Sequence, residues 1–165
     1  MHLGGRYRRR ADDYGEKEIT METVIKHFQE LTTNELYEIL RLRAEVFVVE
    51  QNCVYQDVDN VDLDAYHVYL RENGEIVAYL RVIDKGKRLD EVSLGRVIAR
   101  YRRRGLGSAI MKTGIAVAKE KFHAKRIQIG AQAWAQPFYE SVGFRRISDE
   151  YMEDGIPHVY MTYEE

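Results

Sequence analysis

The sequence predicts a single α/β domain with a mixed, mostly antiparallel central sheet flanked by helices, and three observations carry that expectation. The first is length: 165 residues suffice for one sizeable core but not for two. The second is Asn73-Gly74 between the strand-like runs 67–70 and 75–83, a short-range signal for an antiparallel hairpin. The third is a strand at 92–99, a turn containing Gly105 and Gly107, a helical pattern through Phe122 and a further strand at 126–131. A strand, helix and strand in that order call for parallel pairing through a right-handed crossover.

Residues 1–20 show no sustained hydrophobic period and read as a loose leader outside the fold, with Met21 a candidate native start and 21–165 as the domain. Residues 24–28 make a first strand. Thr32 then reads as an N-cap with Glu35 as its reciprocal partner. Leu36, Ile39, Leu40, Arg43 and Phe47 follow on one face of a helix. Residues 50–64 are polar, acidic and without period, a loop or irregular helix lining a site. Lys85-Gly86-Lys87 turns the chain into the strand at 92–99. Leu106, Ile110, Ile115, Val117, Ala118 and Phe122 place the next helix. Residues 134–142 form a short one, with Pro137 in its first turn and Gly143 at its end. Strands at 144–147 and 158–163, joined by an acidic loop at 149–157, close the sheet.

Composition excludes several functions. The formal charge of −2 argues against a general nucleic-acid binder. No run of about 18 apolar residues exists to span a membrane, and the basic first ten residues lack the apolar core of a secretory signal. The one cysteine, Cys53, forms no internal disulfide, so a reducing cytoplasm is the expected setting. Asp57, Asp59, Asp62 and Asp64 suggest calcium, but Asp62 and Val68 stand where an EF-hand loop needs glycine and glutamate. Zinc spacing is absent too, so no metal is expected.

The chemistry concentrates at Arg102-Arg103-Arg104-Gly105-Leu106-Gly107-Ser108. A glycine turn opening a helix aims amides without internal partners at one point, where the helix dipole favours an anion. Gly105 and Gly107 permit close backbone approach, and the three arginines add permanent positive charge. A pyrophosphate is the expected guest.

Arg102-x-x-Gly105-x-Gly107 resembles the acyl-CoA pyrophosphate loop of the GNAT N-acetyltransferase superfamily. About 30 residues on, Ala135-Gln136-Pro137-Phe138-Tyr139 with Gly143-Phe144 resembles that superfamily's closing motif, in the right order. Residues 43–51, Tyr79-Leu80-Arg81, Gly95-Arg96-Val97 and 153–158 look like its ElaA-type group. Gln132 stands near the usual asparagine; it keeps an amide for the CoA arm but reaches further.

The resemblance implies acetyl-CoA as cosubstrate, with transfer of its acetyl group to a small-molecule or peptide amine by direct attack in a ternary complex. It places the edges of Val97, Ile98 and Ala99 along the pantetheine as an added strand would lie, with a backbone N–H facing the thioester carbonyl. Tyr139 is the expected general acid, since a phenol stays protonated at neutral pH. Candidate bases are Glu50, His67, Glu153 and His158. Arg81 and Arg96 orient an acidic substrate or pair structurally, with Glu50 as the first partner. A Cys53–His67 nucleophile is a minor alternative, as are an acyl-homoserine-lactone-synthase-like reaction and a non-catalytic acyl-CoA-binding module. A homodimer through the C-terminal sheet edge is compatible with the pattern.

Overall fold

The computed structural model describes the backbone of residues 3–8 and 18–165 and side chains from residue 20 onward. Its strands are β1 (Leu3–Arg8), β2 (Glu18–His27), β3 (Tyr66–Glu72), β4 (Glu75–Ile83), β5 (Val92–Ala99), β6 (Arg126–Gln132), β7 (Arg145–Arg146), β8 (Tyr151–Glu153) and β9 (Ile156–Glu164). The helices are α1 (Thr33–Arg43), α2 (Leu106–Phe122) and α3 (Gln136–Ser141). The sheet runs β1-β2-β3-β4-β5-β6-β9-β7, with β8 on β9. Among the described residues only β5 and β6 pair in parallel, so the mixed, mostly antiparallel α/β arrangement is as expected.

Local chemistry sets the early elements. Thr32 accepts from the Glu35 backbone while the Glu35 carboxylate accepts from the Thr32 N–H, so both ends of the capping box are made. The hairpin between β3 and β4 turns on Asn73 and Gly74, both at positive φ (49° and 82°), as a tight turn matched to strand twist requires. The α1 face predicted from spacing is the inward one. Ile39 is buried, and so is Arg43. The chain then continues in π-helical turns, Ala44–Glu50.

Two differences from the expected layout stand out. Leu3–Arg8 pairs with β2, and β2 begins at Glu18 and passes unbroken through Met21, so these parts of the expected leader belong to the sheet. Edge pairing draws on backbone hydrogen bonds and needs no hydrophobic period; residues 1–2 and 9–17 lie outside the described residues. The acidic loop at 149–157 contains β8, folded back on β9 through Asp154-Gly155 at φ 49° and 75°. Asp-Gly signals a hairpin as Asn-Gly does.

The core has two faces. Leu80, Val82, Leu94, Ile110, Met111 and Ile129 pack between the sheet and α2, while Val24, Ile39, Leu42, Tyr69, Tyr79 and Ile98 pack under α1. Burial alone would raise the Glu35 pKa, but bonds from the Tyr69 hydroxyl, Thr32 and Lys26 bring it down to about 2. Burial likewise opposes ionisation of Asp59, and Arg81 and Arg96 bring it down to about 2; Asp62 is lowered by Arg43 and Arg81. Depressed carboxyl pKa values mean that the unfolded chain binds more protons through this window. The stability they contribute is complete above the unfolded values, about 4, and disappears as pH falls from there toward 2. Urea midpoints should therefore hold from pH 7 to 5 and decline steeply below 4; a midpoint unchanged at pH 3 would count against this electrostatic account.

Candidate active site

β5 and β6 pair at only two positions, Val92 with Ile127 and Ser93 with Gln128. Beyond them β6 stays on β9 as far as Gln132, and β5 stays on β4, so the parallel strands part like a wedge. The cause lies in β5. Arg81 faces Gly95 but Tyr79 faces Ile98, so β5 carries one residue more than β4 over this stretch, and Arg96 takes the left-handed conformation at φ 54°. A bulge of this kind bends its strand away from a neighbour. Side-chain contacts oppose the conformational cost: Arg96 Nε lies 2.7 Å from Asp57 Oδ1, its Nη2 donates to the Asp57 carbonyl at 3.1 Å, and the guanidinium sits 5.3 Å from the Tyr55 ring centre.

The wedge opens into a cleft of 940 Å³. At one end lie Val97, Ile98 and Ala99, with backbone edges freed by the splay, followed by the glycine turn. Gly105, at φ 71°, is the N-cap of α2, and Ala109 is the first residue of the helix whose N–H returns to it. The amides of Leu106, Gly107 and Ser108 therefore have no helical partner, and all three residues line the cleft. Arg102 and Arg103 line it as well, without ion pairs among the described residues. Arg104 does not join them. It pairs with Glu72 and packs over the Tyr101 ring, so the charge at this end comes from two of the three consecutive arginines.

Tyr139, on α3, packs against Phe138 and Phe144 and borders the cleft. Burial pushes its hydroxyl pKa up to about 12, and that hydroxyl makes no hydrogen bond to a described residue. It is a protonated donor with its proton uncommitted. Gln132 also borders the cleft, but its amide is engaged, donating to Gln51 Oε1 at 3.3 Å and accepting from Trp134 Nε1 at 2.6 Å.

The opposite half lies between residues 50–56 and the β8–β9 hairpin, joined where the Cys53 thiol donates to the Asp154 carbonyl at 3.4 Å. Glu50, Glu153 and His158 all line it; His67 does not. His67 is fully buried, and its Nε2–H donates to the Asp62 carbonyl at 3.0 Å, since a carbonyl only accepts. Its Nδ1 consequently accepts from Tyr79 at 2.8 Å. Burial lowers its pKa further, so His67 is a structural imidazole and cannot serve Cys53 as the partner of a nucleophilic dyad. His158 differs: Nδ1–H donates to the Ile156 carbonyl at 2.7 Å, which leaves Nε2 directed at Glu153 Oε2, 3.6 Å away.

Beneath this floor the expected partner of Arg81 and Arg96 is replaced. Neither meets Glu50. Arg81 holds Asp59 through two bonds, at 2.7 and 2.8 Å, and reaches Asp62 at 2.9 Å. Arg43 binds Asp62 at 2.6 Å and Asp57 at 3.0 Å. Of the four aspartates that suggested calcium, Asp57, Asp59 and Asp62 are thus neutralised by guanidinium groups, and Asp64 lies 3.7 Å from the Lys87 ammonium. Ser93 escaped the sequence reading as a site residue: it lines the cleft, and its buried hydroxyl has no hydrogen-bond partner among the described residues.

A family model described as an acetyltransferase (GNAT) domain matches residues 11–165. A UPF0039 protein of Schizosaccharomyces pombe is 44% identical over 148 residues, covering 87% of this chain and 97% of that protein. Protein ElaA of Escherichia coli is 42% identical over 142 residues, covering 84% and 93%. Its crystal structure superposes with a TM-score of 0.81 at 40% identity, over 87% of this chain and 99% of that one. An acyl-CoA N-acyltransferase from Pseudomonas aeruginosa gives a TM-score of 0.79 at 39% identity, over 86% and 98%.

Proposed function

The chain belongs to the GNAT acetyltransferase family, and from that premise we propose that it transfers an acetyl group from acetyl-CoA to an amine by direct attack within a ternary complex. One observation carries the reading. The splayed β5–β6 wedge leads from a glycine turn, with two arginines unpaired among the described residues, to a tyrosine hydroxyl that bonds none of those residues.

The residues divide the work. Amides of Leu106, Gly107 and Ser108, with Arg102 and Arg103, bind the pyrophosphate. The free edge of Val97, Ile98 and Ala99 takes the pantetheine amides, and a backbone N–H at the bulge stabilises the oxyanion as it forms. Gln132 closes this end by bridging to Gln51. The amine nitrogen attacks the thioester carbonyl carbon, the carbon–sulfur bond breaks, and the sulfur takes the proton of Tyr139. The proton released by the amine passes to His158 Nε2. Glu153 Oε2, 3.6 Å from that nitrogen, faces the cation that forms. Replacing His158 by asparagine should lower kcat by about 10² with the acetyl-CoA dissociation constant nearly unchanged, and full kcat in that variant would remove His158 from proton transfer.

Calorimetry with acetyl-CoA, together with thiol release in the presence of amines, tests the assignment. A Cβ on Gly107 would lie 3.0 Å from the Phe138 ring, so a larger side chain there must displace the turn or the ring. Gly107→Val should weaken acetyl-CoA binding about tenfold, the equivalent of one charge-assisted hydrogen bond. Unaltered affinity would argue against this loop as the pyrophosphate site.

A further inference from the structure

We propose that the acceptor is an alkylamine bearing a second cationic group, held by Glu50 and Asp154 in the acceptor half of the cleft. The inference rests on the acetyltransferase reading and specifies the substrate class for that site.

The two ends of the cleft differ in sign. At the glycine turn the unpaired charges are Arg102 and Arg103. In the acceptor half every arginine is balanced: Arg88 by Glu153 at 2.8 Å, Arg81 by Asp59 and Asp62, and Arg96 by Asp57 and Asp59. The carboxylates of Glu50 and Asp154 have no such partner among the described residues, and both line the cleft. They belong to the two segments that border this half, which the Cys53 thiol joins at the Asp154 backbone.

The floor gives an independent observation. Ser93 sits at the apex of the wedge, the last β5 residue paired with β6, and is 2% exposed. Its Oγ is buried without a hydrogen-bond partner among the described residues although Ser93 lines the cleft. A buried hydroxyl left unpaired is costly unless a ligand completes it. That hydroxyl can accept from an amine N–H or donate to an amine lone pair, so the sign of the acceptor is set by the carboxylates. An acidic acceptor would meet two unbalanced carboxylates and no free cation, whereas a neutral monoamine would leave both carboxylates to water. An acceptor with a second ammonium answers both features.

Three amines of similar length separate these outcomes: 1,4-diaminobutane, pentylamine and 4-aminobutanoate, each assayed with acetyl-CoA at fixed ionic strength. The expected kcat/KM for 1,4-diaminobutane exceeds that for pentylamine by about tenfold, with 4-aminobutanoate slowest. Asp154→Asn and Glu50→Gln should each shrink the diamine-to-pentylamine ratio several-fold while leaving the acetyl-CoA dissociation constant unchanged. The ratio cancels any effect of Glu50 on proton transfer itself. Equal rates for diamine and pentylamine, preference for 4-aminobutanoate, a ratio unmoved in both variants, or acetyl-CoA uptake with no amine acetylated would each overturn the proposal. Failure of the wild-type protein to take up acetyl-CoA would instead overturn the acetyltransferase reading, and this inference with it.

Discussion

Tyr139→Phe should lower kcat by about 10², with the acetyl-CoA dissociation constant and the thermal midpoint nearly unchanged. General acids contribute roughly 10² to 10⁴ in rate, and the low end applies here because a thiolate leaves more readily than an alkoxide or an amine. The ring stays, so packing against Phe138 and Phe144 is kept. The deleted hydroxyl leaves no protein group unpaired, since it makes no hydrogen bond to a described residue. Because burial pushes its pKa up to about 12, the proton remains in place throughout the range in which the amine must be neutral to attack. The loss should therefore be uniform between pH 6 and 9. A variant with full kcat would remove Tyr139 from proton transfer and leave it a packing residue.

Arg43→Met should destabilise the fold by about 3–5 kcal/mol, the usual consequence of removing one partner from a buried ionic network. Arg43 is fully buried, and its guanidinium meets Asp62 at 2.6 Å, Asp57 at 3.0 Å and the Asp57 carbonyl at 2.9 Å. Burial opposes its charge, yet Tyr79 and the two aspartates hold its pKa above the ordinary arginine value. Without it, Asp57 and Asp62 keep their charge with fewer donors. For a domain of this size the change corresponds to a fall of roughly 10 °C in the thermal midpoint. Asp57 also holds Arg96 at the bulge, so the variant should bind acetyl-CoA more weakly even where it is folded. A useful contrast is the partly exposed Arg71–Glu38 pair, whose loss should cost under about 1 kcal/mol. Similar midpoint shifts for the two variants would mean that the buried network carries no special weight.

Asp57 shows why one part of the site was legible in the sequence and another was not. The glycine turn is local: seven consecutive residues supply the glycines, the helix start and the arginines, so their order reveals the turn. Tyr139 is likewise embedded in a contiguous motif. Asp57, Asp59 and Asp62 are joined to Arg43, Arg81 and Arg96 across 14 to 39 residues of chain. Read with Asp64, these acids suggest a cation, and for the three of them the protein supplies it as guanidinium. The missed β8 strand is different, because Asp154-Gly155 marked its turn in the sequence.

The sequence by itself determined the α/β class, the capped α1, the β3–β4 hairpin, the glycine turn that opens α2 and the acyltransferase family. Each of these depends on neighbours within a helical turn, a hairpin or a short motif. Only the tertiary structure decided that His67 is sealed between Tyr79 and Asp62, that Arg104 turns away to Glu72, and that Ser93 lines the cleft with its hydroxyl unpaired among the described residues. The physical reason is that a polar side chain's role depends on which partner reaches it first and whether water can. Strands and loops far apart in the chain settle both when they pack.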